Sequence, residues 1–432
     1  AIYNASVRGT SQTNIAGGTT FSGNSAAQGG AVYNSGSLNL DSYEADITFS
    51  GNTATAQGGG ASVYLDGTSA QLNINGEAGT VSFQDNGAIA GSGTINKSGA
   101  GTVEFVGNTE VAAFTGKYIQ NNGVLKLTDS TMFNNYNINL GEFNLTGSST
   151  AIADGVNKVI KDVAGVTVSI SNGASLNVAS GTLGMNNKIA LGGGGLLNAS
   201  GTGDVYFKGD SLWEGDVNNA AGGSVILDGY THSTSSGAGN YTQTGGDLTL
   251  QNGSELTIGN ADSSISGGNV NVQSGNTLNV ESGGTLSGTH NTTVAGDLNV
   301  NNGGAITGGK TTIANNGKVN VAGGEITKDA TVDIQSGSEL NISNGGKVTL
   351  DNNDKWAGKV SNDNSTLTLD GVTHNTQNGA YEQNGGTLNL ENNSNLTLGN
   401  NGTISNGQVN VNDSSFVVGN GGEVTGGKIT VG

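Results

Sequence analysis

Between Val270 and Leu350 apolar and polar residues alternate in short runs that return about every 21 residues, a period that marks a stacked repeat. One set of runs is Leu278/Val280, Leu298/Val300, Val319/Val321 and Leu340/Ile342, with first members 20, 21 and 21 positions apart. A second set is Val270/Val272, Val294, Ile313 and Val332/Ile334, and a third is the single residues Leu286, Ile306, Ile326 and Val348 behind Gly-rich corners. Alternation with period two predicts strands, and Gly, Asn, Ser and Asp between them predict turns. Three strands of this kind bury nothing alone, because their two or three aliphatic side chains face no partner until another coil stacks on them. The pattern therefore predicts an all-β fold: a single-chain, parallel, three-sided β-solenoid with Leu over Leu and Val over Val at about 4.8 Å per coil. Coiled throughout, the 432 residues would form about 20 coils and a rod on the order of 100 Å long.

Composition changes this picture only by strengthening it. Gly accounts for 77 residues and Pro for none, where average usage predicts roughly 20. A disordered Gly/Ser/Asn-rich chain would carry Pro, whereas a ladder in which nearly every strand N–H must donate excludes it. Sustained helical spacing is absent, and Gly recurs too often for a long helix.

Organisation along the chain falls into three zones of one continuous solenoid. In residues 1–127 two phrases recur. Phe21-Ser22-Gly23-Asn24 returns as Phe49-Ser50-Gly51-Asn52 and Phe105-Val106-Gly107-Asn108, and Gly29-Gly30-Ala31-Val32-Tyr33-Asn34 returns as Gly59-Gly60-Ala61. Ala1-Ile2-Tyr3-Asn4 matches Ala31-Val32-Tyr33-Asn34 at a distance of 30 positions. Phe is expected to fill the inside of a coil, Asn to bond neighbouring backbone at a corner, and Gly-Gly-Ala to allow a tight turn. Residues 128–212 are less regular, with alternations such as Val166-Thr167-Val168-Ser169-Ile170 and a permissive corner at Gly192-Gly193-Gly194-Gly195. Residues 213–432 carry a longer duplication: Trp213 answers to Trp356, Asp228 and His232 to Asp370 and His374, and Tyr241 to Tyr381, at offsets of about 142. The first copy spans 213–355, and the second, 356–432, is incomplete.

The Phe-x-x-Asn and Gly-Gly-Ala phrases resemble the repeats of the polymorphic outer-membrane protein family, which are autotransporter adhesins. A second resemblance runs from Gly91-Ser92-Gly93-Thr94-Ile95-Asn96-Lys97-Ser98-Gly99-Ala100-Gly101-Thr102-Val103-Glu104-Phe105 through Gly107-Asn108 and Thr115-Gly116 to Gly123-Val124-Leu125-Lys126-Leu127. It is similar to the passenger-associated transport repeat of bacterial autotransporters. Together these resemblances, which cover about the first third of the chain, imply a right-handed β-helix passenger that is exported across an outer membrane and then displayed or released.

Charge and chemistry narrow the function classes. The net charge is −19, with Arg8 the single arginine and only 11% charged residues. Such a surface repels phosphate backbones and anionic headgroups, so nucleic acid is excluded as a partner. The acidic residues are read as sitting singly at corners. Cys is absent, which suits an oxidising exterior, and an extracellular or cell-surface location is expected. No basic, apolar leader precedes Ala1 and no 18-residue apolar span occurs, so membrane insertion by this segment is not expected. Neither end reads as a cap, which points to a fragment, a part of a longer chain, or end-to-end homo-assembly into a filament.

Gly209-Asp210-Ser211-Leu212 spells a hydrolase motif, but Asp228 to His232 and Asp370 to His374 are one residue too long for its acid–histidine pair. His232 and His374 stand about seven coils, roughly 30 Å, apart and cannot share an ion. His290 is the third histidine, and all three are read as corner residues. Asp210, Glu214 and Asp216 flank Trp213 in the manner of the carboxylate cluster of a polysaccharide-processing β-helix, yet the second copy carries Ala357 and Lys359 in place of Glu214 and Asp216. Trp213, Tyr230, Tyr241, Trp356 and Tyr381, if exposed, would make a sugar-stacking face. A rank of Thr suited to ice is interrupted by Asn and Ser, and no calcium-binding nonapeptide run occurs. The sequence thus predicts a non-enzymatic, extracellular structural or adhesive solenoid, with no catalytic, cofactor-binding or metal-ligating residue. Its partner would be a host or neighbouring-cell surface or a glycan.

Overall fold

The computed structural model describes residues 1–5, 11–146, 148–154, 156–235 and 239–432; Arg8 lies outside the described residues. The chain is all-β, and its parallel strands stack as a β-solenoid with about 22 residues per turn. It divides into two compact units, Ala1–Tyr206 with Asp210–Asp216, and Phe207–Gly209 with Val217–Gly432.

The second unit carries the regular period. Each strand pairs with the third strand after it: Asp247–Gln251 with Asn269–Val272, Glu255–Ile258 with Thr277–Val280, and Ser264–Ile265 with Thr285–Leu286. The columns expected from the sequence form in register. Leu278, Leu298, Val319 and Leu340 follow one another, as do Leu286, Ile306, Ile326 and Val348. Every one of these eight side chains is buried. Burying one such side chain is worth about 1.5–3 kcal/mol, so a coil with three or more of them offsets the ordering of its own corners only when both neighbours are present.

Outward positions stack like on like as well. Asn299 Nδ2 donates to Asn279 Oδ1 at 2.8 Å, Asn320 to Asn299 at 2.9 Å and Asn341 to Asn320 at 3.0 Å. Beside this amide ladder runs a column of alternating charge, in which Asp297, Lys318, Glu339 and Lys359 occupy one register position in successive coils. Lys318 meets Glu339 at 3.3 Å, Lys359 meets Glu382 at 2.7 Å and Lys310 meets Asp333 at 3.5 Å. These acidic residues therefore do not sit singly at corners as the sequence suggested, because a separation of about 20 residues along the chain is a contact across coils. Each exposed pair is worth about 0–1 kcal/mol.

The first unit opens with longer coils. Asn4 and Asn34 are 30 residues apart and hydrogen-bonded, Asn39 and Asn73 are 34 apart, and the spacing shortens to 23 between Asn73 and Asn96. The extra length forms a short fourth side, where Ser25–Ala26 pairs with Thr53–Ala54. The Phe-x-x-Asn phrases occupy one column. Phe21, Phe49, Phe83 and Phe105 stack face to face with ring centroids 4.7, 4.8 and 5.0 Å apart, close to the distance between neighbouring strands. Their corner residues form a parallel spine: Asn24 Nδ2 donates to Asn52 Oδ1 at 2.9 Å, and Asn52 Nδ2 donates to Asp85 Oδ2 at 2.9 Å. Gly29 holds a φ of +59°, and at Gly30 a Cβ would stand 2.6 Å from the Thr53 carbonyl oxygen; these two positions explain why a Gly-Gly pair precedes Ala.

Replacing Leu298 with Asp puts a carboxylate into the aliphatic column and is expected to cost about 4 kcal/mol or more in urea unfolding, against about 2–5 kcal/mol for Leu298→Ala. An unchanged Leu298→Asp protein contradicts the inward register. Lys318→Glu places three carboxylates in consecutive coils and is expected to lower stability by about 1–2 kcal/mol at low salt, with most of the loss recovered near ~1 M salt. A salt-independent loss would assign the effect to packing instead.

Candidate functional site

The residues that the sequence singled out for chemistry are mostly buried and bonded locally. Trp213, Tyr241, Trp356 and Tyr381 are buried, with relative exposures of 3%, 0%, 9% and 0%, so they do not present a sugar-stacking face. Tyr230 is half-buried, with its ring 5.7 Å from that of Phe207. Trp356 lies flat against His374, ring centroids 3.9 Å apart, and donates from Nε1 to the Ala380 carbonyl oxygen at 3.3 Å. Ser211 lies between the turn at Gly209 and Asp210 and the short strand Leu212–Trp213.

All three histidines are buried and bond locally. His232 Nε2 donates to the Gly239 carbonyl oxygen at 3.2 Å, His374 Nε2 to that of Gly379 at 2.8 Å, and His290 Nδ1 lies 3.0 Å from the Thr292 hydroxyl. Desolvation holds all three imidazoles below the usual histidine value, His232 at about 4. Asp354, which answers to Ser211 when Trp356 is set on Trp213, is pushed up to about 7 by burial, although it accepts from the backbone N–H groups of Val332 and Asp351.

A polar device inside the coils is not apparent from the sequence pattern. Tyr118 donates to Gln120 Oε1, Tyr241 to Gln243 Oε1 and Tyr381 to Gln383 Oε1. Each of these Gln amides then turns to carbonyl oxygens at a Gly-rich corner; Gln243 Nε2 donates to Gly246, Gly267 and Asn269 at 2.8–3.1 Å. Lys97, the lysine of the transport-type repeat, does the same work one coil before Gln120. Its ammonium is fully buried and donates to the carbonyl oxygens of Ser98 and Gly99 at 2.8 Å, and burial pushes its value down to about 8. Only a repeated Tyr-x-Gln signals the device: Tyr241-x-Gln243 and Tyr381-x-Gln383 recur within the long duplication, and Tyr118-x-Gln120 stands apart from it.

The first unit carries a groove of about 1140 Å³ beside the second Gly-Gly-Ala phrase. One wall is Thr53–Ala54 and the residues that follow to Gln57, the floor is Gln84 to Gly87, and the far wall is Thr109 to Ala113. The far wall comes close at two places: a Cβ on Gly58 would meet that of Ala113 at 3.4 Å, and one on Gly87 in the floor would meet that of Glu110 at 3.6 Å. Asp85 and Glu110 are the charged lining residues, and no Lys, Arg or His lines the groove. Asp85 is committed inward: it accepts from Asn52 N and Nδ2 and from the Ser62 hydroxyl at 2.7 Å. Glu110 is exposed and accepts from Asn86 Nδ2 at 3.2 Å.

No family model matches the chain, and no curated protein matches its sequence. Among solved structures, the chain is similar to a TibC-catalyzed hyper-glycosylated TibA fragment, at 18% identity over 85% of this chain and 97% of that one, with a TM-score of 0.29. At that identity and superposition no residue role passes from one to the other.

A histidine held below its unfolded value near 6.5 supports the fold fully above that pH and withdraws the support as pH falls through its folded value. For His232 the window is therefore 6.5 down to about 4. Over it, urea unfolding of the native chain is expected to lose about 3 kcal/mol more than that of the His232→Gln variant. Parallel pH curves for the two proteins would show that this imidazole is not desolvated.

Proposed function

We propose that this chain is an extracellular, non-enzymatic β-solenoid of autotransporter-passenger type, a stiff structural and adhesive body displayed on or released from a bacterial cell surface. The observation that carries the reading is the Phe21–Phe49–Phe83–Phe105 stack with its Asn24–Asn52–Asp85 spine. The residues through which the sequence resembles the family's repeats are the ones that hold coil to coil. Lys97 supports the same reading, because the lysine of the transport-type phrase lies inside the solenoid, bonded to corner carbonyls.

The physics suits that role. Each coil offers the next a complete strand template, so folding can proceed along the chain as it emerges, without distant segments having to meet. The absence of Pro keeps the ladder continuous, and a net charge of −19 keeps a large β surface soluble. Adhesion then depends on what the corners present rather than on a catalytic cleft.

Beads coated with the purified chain are expected to adhere to cultured epithelial cells or to one another above beads coated with an unrelated acidic protein, and negative-stain images are expected to show narrow particles that resist protease. Rapid digestion to small peptides, or globular particles, would remove the structural reading; protease-resistant particles without adhesion would remove the adhesive one.

A further inference from the structure

The fourth side of the first unit stops after two strands, and the groove lies where the third would be. Ser25–Ala26 and Thr53–Ala54 form a sheet of two strands only. The reason is in the spacing between the corner residue and the following Ala. Asn24 reaches Ala31, and Asn52 reaches Ala61, through loops long enough for a strand, whereas Asp85 reaches Ala88 through Asn86 and Gly87 alone. In the fourth coil the loop is long again, running from Asn108 through Val111 to Phe114. The missing strand leaves a slot between the second and fourth coils. Two coil spacings are about 9.6 Å, which is the room one added strand takes.

The edge that faces the slot is an open one. Thr53 and Thr55 donate backwards, to the carbonyl oxygens of Asn24 and Ala26, at 2.9 and 2.8 Å. Alternation along a parallel ladder then turns the N–H and C=O of Ala54 to the opposite edge, which carries no strand among the described residues. The small residues Ala54, Ala56, Gly58, Ala112 and Ala113 line the slot, so another backbone can come close. Its accessible charge is the Glu110 carboxylate, with no cation in the lining to answer it.

We propose that the slot is a docking site for an extended segment of another polypeptide, which adds as a strand to the free edge at Ala54 and sets a Lys or Arg side chain against Glu110. Backbone hydrogen bonds supply the affinity in this mode, and the alternate side chains supply the choice of sequence. The site is a surface of the fold and holds whether or not the chain is displayed on a cell, so it goes beyond the adhesive reading above.

The test is a positional library of nonapeptides presented to the full chain, with Ala54→Pro and Glu110→Lys as comparison proteins. Proline at 54 removes an N–H that the internal ladder does not use. The native chain is expected to retain peptides with Lys or Arg at one position and without Pro. The best of these, labelled with fluorescein, is expected to bind at least tenfold more weakly to either variant while thermal unfolding of the variants stays the same. Should Ala54→Pro disturb folding, the same peptide with alternate amides N-methylated replaces it, and loss of binding on one set of amides only is the supporting result. Equal binding to the native chain and both variants, enrichment of acidic peptides, or no peptide retained above an unrelated β-solenoid overturns the proposal.

Discussion

The fold depends on one constraint: each coil must donate its strand N–H groups to the next, and this places every side chain directly over its counterpart. In a parallel ladder with this register, the interior cannot be packed by mixing shapes as in a globular core, so it is packed by repeating them. Leu278 over Leu256 and Leu298 over Leu278 is the aliphatic form of the rule, and Phe49 over Phe21 is the aromatic form. Asn320 over Asn299 is the polar form, in which an amide donates forward and accepts from behind without a change of rotamer. The absence of Pro follows from the same requirement, because a single missing donor would interrupt a ladder on which both neighbouring coils rely.

What is legible in the sequence is what the constraint writes locally. Alternation within a strand is visible at once, and its return after about 21 residues exposes the coil, so the columns through Leu298 and Ile306 follow from residue spacing alone. The long offset between Asn4 and Asn34 is legible for the same reason, since Ile2-Tyr3-Asn4 and Val32-Tyr33-Asn34 are nearly the same words. Contacts between unlike residues in neighbouring coils are not. Lys318 and Glu339 look like isolated charges, and although Phe83-Gln84-Asp85-Asn86 has the Phe-x-x-Asn spacing, the spacing does not tell that Asp85 rather than Asn86 takes the corner bond from Asn52. Burial of Trp213 and Trp356 is hidden too, because nothing in a short turn-rich phrase tells an aromatic that packs under a corner from one that faces water.

Corners set a second requirement that the strands do not meet. Tight Gly-rich turns direct carbonyl oxygens into the solenoid, and each must find a donor there. Aliphatic columns offer none, so the interior carries occasional long donors: Lys97, Gln120, Gln243 and Gln383. A Gln can be held by a Tyr two residues before it, which fixes the amide so that its nitrogen meets the corner. Lys97 has no such partner residue and answers with charge, at the cost of desolvating an ammonium whose value falls to about 8.

Asp85 shows how the same logic permits a gap. An Asn at that corner accepts with one oxygen and must itself find an acceptor further on, which is how Asn24 and Asn52 pass the bond from coil to coil. A carboxylate only accepts. Asp85 takes the backbone N–H and the side-chain amide of Asn52 and the hydroxyl of Ser62, so it ends the side-chain relay without asking for a partner in the next coil. The chain is then free to reach Ala88 through two residues, and the fourth side is dropped for one coil while the Phe83 ring stays in its stack. Side-chain continuity through the core and strand continuity on the surface are thereby uncoupled at a single residue, and the open edge at Ala54 is the structural consequence.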